Sequence, residues 1–147
     1  MKKDIILCGV GGQGILSIAT IIGEADVIIS MEPMEALRYI TYLRPDGMIV
    51  TSNKSFVNIP NYPDEEALKS ELNSLPNVQL DIEAIAAELK SAKSANMVLL
   101  GMAAPYIEVL SIEQLRKAVS VIFARKGEAV VEANLRAFDR GVEASKK

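Results

Sequence analysis

At 147 residues, half of them apolar, the chain suits a single soluble domain spanning 1–147, with enough apolar material for a core. One cysteine excludes an internal disulfide and a self-contained iron–sulfur cluster or structural zinc, while the absence of histidine removes the commonest general base and metal ligand. A formal net charge of −3 with scattered Lys and Arg offers no nucleic-acid footprint, and no apolar run approaches the ~18 residues of a membrane span, so a cytoplasmic protein without nucleic-acid or membrane partners is expected.

Asp4-Ile5-Ile6-Leu7-Cys8 reads as a first strand. Behind Met1-Lys2-Lys3 it is too short, and too quickly followed by glycine, to form a signal peptide. It leads into Gly9-Val10-Gly11-Gly12-Gln13-Gly14, after which the apolar run 15–22 predicts a helix. Gly9, Gly11 and Gly14 satisfy the dinucleotide fingerprint G-x-G-x-x-G in the strand-turn-helix setting that the fingerprint requires. Glycines let the backbone approach a ligand closely, and the free N–H groups opening the helix attract an anion. The competing reading is that they serve only tight packing of helix on strand. Gln13 either points its amide at a ligand or satisfies the turn.

Ala25-Asp26-Val27-Ile28-Ile29-Ser30 reads as a second, buried strand. Pro33 suits a first helical turn, and Met34, Leu37, Ile40 and Leu43 keep roughly helical spacing up to the turn Arg44-Pro45-Asp46-Gly47. Met48-Ile49-Val50-Thr51 begins a third strand. The connection 52–64, with Asn58-Ile59-Pro60-Asn61-Tyr62-Pro63, is too extended for a helix, and loops of this length are often functional. A surface helix over 65–75 stops before Pro76, and Val78-Gln79-Leu80-Asp81-Ile82 forms a shorter, more polar strand suited to a sheet edge. Helices follow over 82–89 and 95–103, then from Ser111, where Ser111 and Gln114 have capping-box spacing, and over 128–144 beyond Gly127. Alternating strands and helices predict an α/β fold, three-layer α/β/α with a mainly parallel, Rossmann- or flavodoxin-like sheet and extra C-terminal helices.

Glu32 stands about 20 residues beyond the glycine loop at a strand end, where a dinucleotide-binding acid contacts ribose. Its alternative is a first-turn charge stabilised by the helix dipole. Cys8 is better read as a small buried hydrophobe than as a nucleophile, because no histidine can activate it. Asn96, inside an apolar segment, reads as a buried amide in need of a partner. Met31, Met34, Met48, Met97 and Met102 read as core filler.

Several of these segments together resemble the small subunit, called gamma or beta, of 2-oxoacid:ferredoxin oxidoreductases. The stretch Ile6-Leu7-Cys8-Gly9-Val10-Gly11-Gly12-Gln13-Gly14 is similar to that family's glycine loop, and the run from Ala25 through Glu32-Pro33-Met34-Glu35-Ala36-Leu37-Arg38-Tyr39 is similar to its second signature. Pro45-Asp46-Gly47-Met48-Ile49-Val50, Asn58-Ile59-Pro60 and Ser94-Ala95-Asn96-Met97-Val98-Leu99-Leu100-Gly101 agree as well, and the nearest type is the indolepyruvate one. The resemblance implies a subunit of an enzyme that decarboxylates a 2-oxoacid, with indolepyruvate or another arylpyruvate the expected one, reduces ferredoxin and forms acyl-CoA. It implies thiamine diphosphate, magnesium and iron–sulfur clusters in a large partner subunit. This chain would then hold no catalytic residue and no metal, would be inactive alone, and would contribute an interface. Its glycine loop, Gly9, Gly11, Gly12, Gln13 and Gly14, with Glu32, would contact a cofactor, the pyrophosphate of coenzyme A being the suitable one. Relatives also carry a long segment between the first helix and the second signature. Here Gly23-Glu24 runs straight into Ala25. Either Gly23 caps the helix and a short loop returns to the sheet, or a segment between Glu24 and Ala25 is missing from the sequence.

Two other classes fit parts of the pattern. A freestanding NAD- or FAD-binding Rossmann-like domain would use the fingerprint and Glu32. A methyltransferase would use the glycine loop, the acid after the second strand and the Arg44-Pro45-Asp46-Gly47 turn. Neither explains the remaining matched segments.

Overall fold

The computed structural model describes residues 2–9, 25–57 and 59–146, which divide into two compact units, Lys2–Leu80 and a second beginning at Asp81. The expected helix 15–22 lies outside the described residues.

The first unit is built on four parallel strands in the order β1-β2-β3-β4, namely Ile5–Cys8, Ala25–Ser30, Leu43–Ser52 and Asn77–Leu80. Helix α1, Pro33–Arg38, connects β2 to β3 and helix α2, Glu65–Asn73, connects β3 to β4. Parallel neighbours in sequential order, joined by right-handed crossovers, send both connecting helices to one face. The packing agrees. Ile6, Ile28 and Ile49 pair across the sheet as one row and share a buried cluster with Ala36 and Tyr39 from the α1 end and Leu72 from α2. Val27, Ile29 and Val50 of the opposite face are buried as well, which is why these strands read as continuous apolar runs rather than alternating ones.

The sequence-based turn at Arg44-Pro45-Asp46-Gly47 is instead an irregularity within β3. Ala25 pairs with Leu43 but Val27 pairs with Met48, so 44–47 bulges out of the ladder, where Pro45 has no N–H to donate. Gly47 packs closely there: a Cβ would stand 2.5 Å from Leu43 Cδ1, so the leucine side chain would have to shift to admit one. The bulge brings Arg44 to Asp26, with its Nη1 2.5 Å from the Asp26 carboxylate, while the other Asp26 oxygen accepts from the Asp4 N–H at 2.8 Å. That network secures the amino ends of β1, β2 and β3. The expected helix up to Leu43 is shorter than its spacing suggested, ending at Arg38 and giving way to a 3-10 turn at Ile40–Tyr42.

The second unit is helical: α3 is Ile82–Glu88, α4 Ala95–Ile107, α5 Ile112–Phe123 and α6 Glu128–Ser145. Asp81 caps α3 by accepting from the Ala84 N–H at 2.8 Å, and Ser111 and Gln114 form the expected reciprocal capping box on α5. Helix α4 runs four residues beyond the expected Ala103 and takes Pro105 into its last turn, where the missing N–H leaves the Gly101 carbonyl without its intrahelical donor. It ends at Glu108, whose φ of 55° leaves the helical region. Helices α4 and α6 cross at two glycines. A Cβ on Gly101 would overlap the Phe138 carbonyl and stand 3.0 Å from the Val142 nitrogen, and a Cβ on Gly141 would overlap the Val98 carbonyl and stand 3.0 Å from the Met102 nitrogen. Asn96 corrects the sequence reading: it is exposed. The buried amide is Asn134, whose Nδ2 donates to the Val130 carbonyl one turn back at 2.8 Å. Among the described residues no helix is long and apolar enough to cross a membrane.

Candidate functional site at the carboxyl edge of the sheet

In parallel sheets ligands bind beyond the carboxyl ends of the strands, where strand-to-helix loops open. Here Cys8, Ser30, Thr51 and Gln79 pair in register across the ends of β1 to β4, forming a row of polar groups where the apolar strands stop. Gly9 follows Cys8 immediately. Of the glycine loop only Gly9 can be placed, since Gly11, Gly12, Gln13 and Gly14 lie outside the described residues. A Cβ at Gly9 would meet Met31 Cβ and Cγ at 3.9 Å, ordinary contact distance, so its described surroundings have room for a side chain. The Met31 N–H donates to the Cys8 carbonyl at 3.2 Å and fastens the β1 and β2 ends together.

Glu32 is the organising residue of this edge. It is 2% exposed, and both carboxylate oxygens are engaged by donors from this chain. One oxygen, Oε2, accepts from the Glu35 N–H at 2.9 Å and so caps α1, whose first residue is Pro33. The other, Oε1, accepts from the Phe56 N–H at 3.3 Å and from the Tyr62 hydroxyl. Ser30 holds the backbone beneath: its Oγ donates to the Glu32 carbonyl at 2.6 Å and accepts from the Glu32 N–H at 3.2 Å. Ser52 Oγ accepts from the Lys54 N–H at 3.2 Å, turning the chain away from β3. The 52–64 connection is thus tied at two points to a carboxylate rooted between β2 and α1. Neither Phe56 nor Tyr62 stands out in the sequence. The one available signal was a tyrosine in a long, proline-bearing connection.

The neighbouring thiol and phenol, Cys8 and Tyr62, are held neutral. Burial, with smaller contributions from the Glu35 and Glu32 charges, pushes the Cys8 thiol from 9.0 to about 11, and its Sγ lies 3.8 Å from the Ile29 carbonyl. Cys8 is buried, as the sequence suggested, and its thiolate is suppressed. Burial and the hydrogen bond to Glu32 push the Tyr62 phenol from 10.0 to about 12, so it stays a donor. Both groups bind their protons more tightly folded than unfolded. As pH rises above about 9, the unfolded chain therefore loses protons that the native chain keeps, and stability falls. A thermal-unfolding series is expected to hold Tm steady from neutral pH to about 9 and to drop toward 11, with Cys8→Ala shallower than wild type across that window. Identical alkaline slopes for the two proteins would contradict the shift at Cys8.

With an engaged carboxylate, a suppressed thiolate and a protonated phenol, the edge is suited to fixing loops in place. Among the described residues no group of three or more His, Cys, Asp or Glu could hold a metal ion.

Comparison with known proteins gives a consistent answer. The family described as pyruvate ferredoxin/flavodoxin oxidoreductase matches residues 20–144. Indolepyruvate oxidoreductase subunit IorB of Pyrococcus horikoshii is 28% identical over 201 aligned positions, which cover 100% of this chain and 98% of the relative. Those positions exceed this chain's 147 residues, so the relative carries a substantial stretch with no counterpart here. In three dimensions the chain is similar to the gamma subunit of a keto/oxoacid ferredoxin oxidoreductase from Geobacter sulfurreducens, with a TM-score of 0.66, 19% identity and 99% of each chain covered. It is also similar to 2-oxoglutarate:ferredoxin oxidoreductase from Magnetococcus marinus, described with 2-oxoglutarate, coenzyme A and succinyl-CoA bound. That match has a TM-score of 0.61 and 22% identity, and it covers 99% of this chain but 32% of the longer one.

Proposed function

Because this chain belongs to the pyruvate ferredoxin/flavodoxin oxidoreductase family, as a small subunit of a 2-oxoacid:ferredoxin oxidoreductase, we propose that the oxoacid its enzyme oxidises is indolepyruvate or a related arylpyruvate. The observation that carries this reading is the full-length likeness to the indolepyruvate oxidoreductase subunit. In the enzyme so proposed, a larger partner subunit holds thiamine diphosphate with magnesium and the iron–sulfur clusters. The thiamine supplies the carbanion chemistry of decarboxylation, and the clusters pass single electrons to ferredoxin. A cluster does not fit this chain's own donor set, which has one thiol, buried and held protonated.

What this chain contributes is shape. The glycine loop, Gly9, Gly11, Gly12, Gln13 and Gly14, offers backbone N–H groups to the pyrophosphate of coenzyme A. Glu32 fixes the start of α1 and the 52–64 connection, while the Met31 N–H to Cys8 carbonyl bond holds the strand end at which that loop begins.

The test is a substrate panel on the complex copurified from its native source through a tag on this chain. Ferredoxin reduction is expected to be at least ten-fold higher in kcat/KM with indolepyruvate or phenylpyruvate than with 2-oxoglutarate or pyruvate, the discrimination a site gains from one well-filled aromatic pocket. Preference for 2-oxoglutarate would remove the arylpyruvate assignment.

A further inference from the structure

Resting on the reading of this chain as the small subunit of a larger oxidoreductase, we propose that the segment Phe56, Val57 and Ile59, together with Met31, the residue before the Glu32 that holds Phe56, is the surface that docks on the larger subunit. Three observations lead there.

The first is an exposed apolar segment with a fixed backbone. Phe56 is 58% exposed and Val57 65%, and Ile59 and Met31 are exposed too. Exposed loops with apolar tips are ordinarily left loose, but this one is held by the buried Glu32 carboxylate through the Phe56 N–H and the Tyr62 hydroxyl. Capping α1 needs only one oxygen of Glu32, and turning the other to order an exposed apolar loop leaves that loop's side chains still in water. The ordering does lower the entropy lost when those side chains are covered by another surface.

The second is chemistry. Between Lys54 and Asp64 the sequence has no charged residue. Protein interface centres are depleted of charge and enriched in aromatic residues, the composition this segment has. The patch is continuous with the candidate site, because Met31 lies against Gly9 and is bonded to the end of β1.

The third concerns the occupant. The fold that matches 99% of this chain makes up 32% of the longer Magnetococcus chain, so there it is joined to the rest of its protein, and a surface that is open here has further protein available to cover it. A standing contact with a large subunit is the separate-chain equivalent.

The experiment coexpresses this chain with the larger subunit and measures the dissociation constant of the purified complex by dilution. Phe56→Ser combined with Val57→Ser is expected to weaken assembly about thirty-fold or more, the range for interface anchors. Both side chains are exposed, so the Tm of the free variant should match wild type. Val57→Ser alone and Tyr62→Phe, which releases one tether without touching the patch, are each expected to weaken assembly by about three-fold to ten-fold. Val121→Ser with Ile122→Ser, removing the exposed apolar pair on α5, should change it less than two-fold. The proposal is overturned if the 56/57 pair shifts the constant by less than three-fold, or if the α5 pair shifts it more. Vesicles of neutral phosphatidylcholine that bind wild type but not the 56/57 variant, with assembly unaltered, would overturn it in favour of a lipid surface. If wild type itself assembles with no larger subunit, the functional reading beneath the proposal fails first, and that outcome is distinct from all the others.

Discussion

Replacing Gly101 with alanine should destabilise the protein by about 3 kcal/mol, and Gly141→Ala by a similar amount, as overpacking of a backbone contact does at its severe end. The sign is informative. Glycine in an open helical position gains roughly 1 kcal/mol of stability on becoming alanine, because alanine loses less backbone freedom on folding. A loss therefore reports the crossing itself. At that crossing each glycine faces a main-chain carbonyl of the other helix, Phe138 from α6 and Val98 from α4, and neither can rotate aside as a side-chain end could. A methyl group on either must push the helices apart and loosen Phe138, a fully buried side chain. The double variant should cost less than the sum of the singles, because the first methyl already opens the space that the second requires. Urea denaturation of the three variants measures this. Single costs below about 1 kcal/mol, or strict additivity, would show that the helices do not meet as described.

Glu32→Ala should cost about 2 kcal/mol, combining a lost helix cap with two part-buried donors left without their acceptor. The Glu35 N–H loses its cap, and the Phe56 N–H and the Tyr62 hydroxyl lose their shared oxygen. Glu32→Gln should fall between alanine and wild type, because its amide retains one acceptor oxygen but presents N–H groups to the remaining donors. Hydrogen exchange separates this from a general loss of stability. The Phe56 amide should exchange much faster in Glu32→Ala, while amides in β2 and β3 follow only the global change. Unaltered protection at Phe56 would mean that Glu32 does not secure the connection.

Strands were legible in the sequence wherever burial on both faces made them uninterrupted apolar runs, as at 25–30, and caps were legible where a short side chain meets a nearby N–H, as at Ser111 and Gln114. These are local signals. The Glu32–Tyr62 contact spans thirty residues and depends on how two connections meet above a sheet, which neither spacing nor composition records. The ribose and dipole readings of Glu32 both considered the residue beside its own helix. The cap on α1 belongs to the second, and the hold on 52–64 belongs to neither. Asn96 was misplaced because α4 is apolar on nearly every side, so periodicity does not tell which side faces water. The Gly101 and Gly141 pair went unnoticed for a related reason: a glycine within a helix reads as a weak point until the partner backbone is seen. The α/β class itself followed from alternation and stands in the parallel sheet, while the bulge at 44–47 mimicked a turn because Pro and Gly serve both.

Indolepyruvate-dependent reduction of ferredoxin, followed with the purified chain alone and again after reconstitution with the larger subunit, bears most directly on this chain's part in the enzyme. The isolated chain should give no turnover, and the reconstituted pair should give turnover that is lost when either is omitted. Sustained reduction by the isolated chain, or full activity of the larger subunit without it, would contradict a supporting subunit whose residues shape an interface and leave the chemistry to its partner.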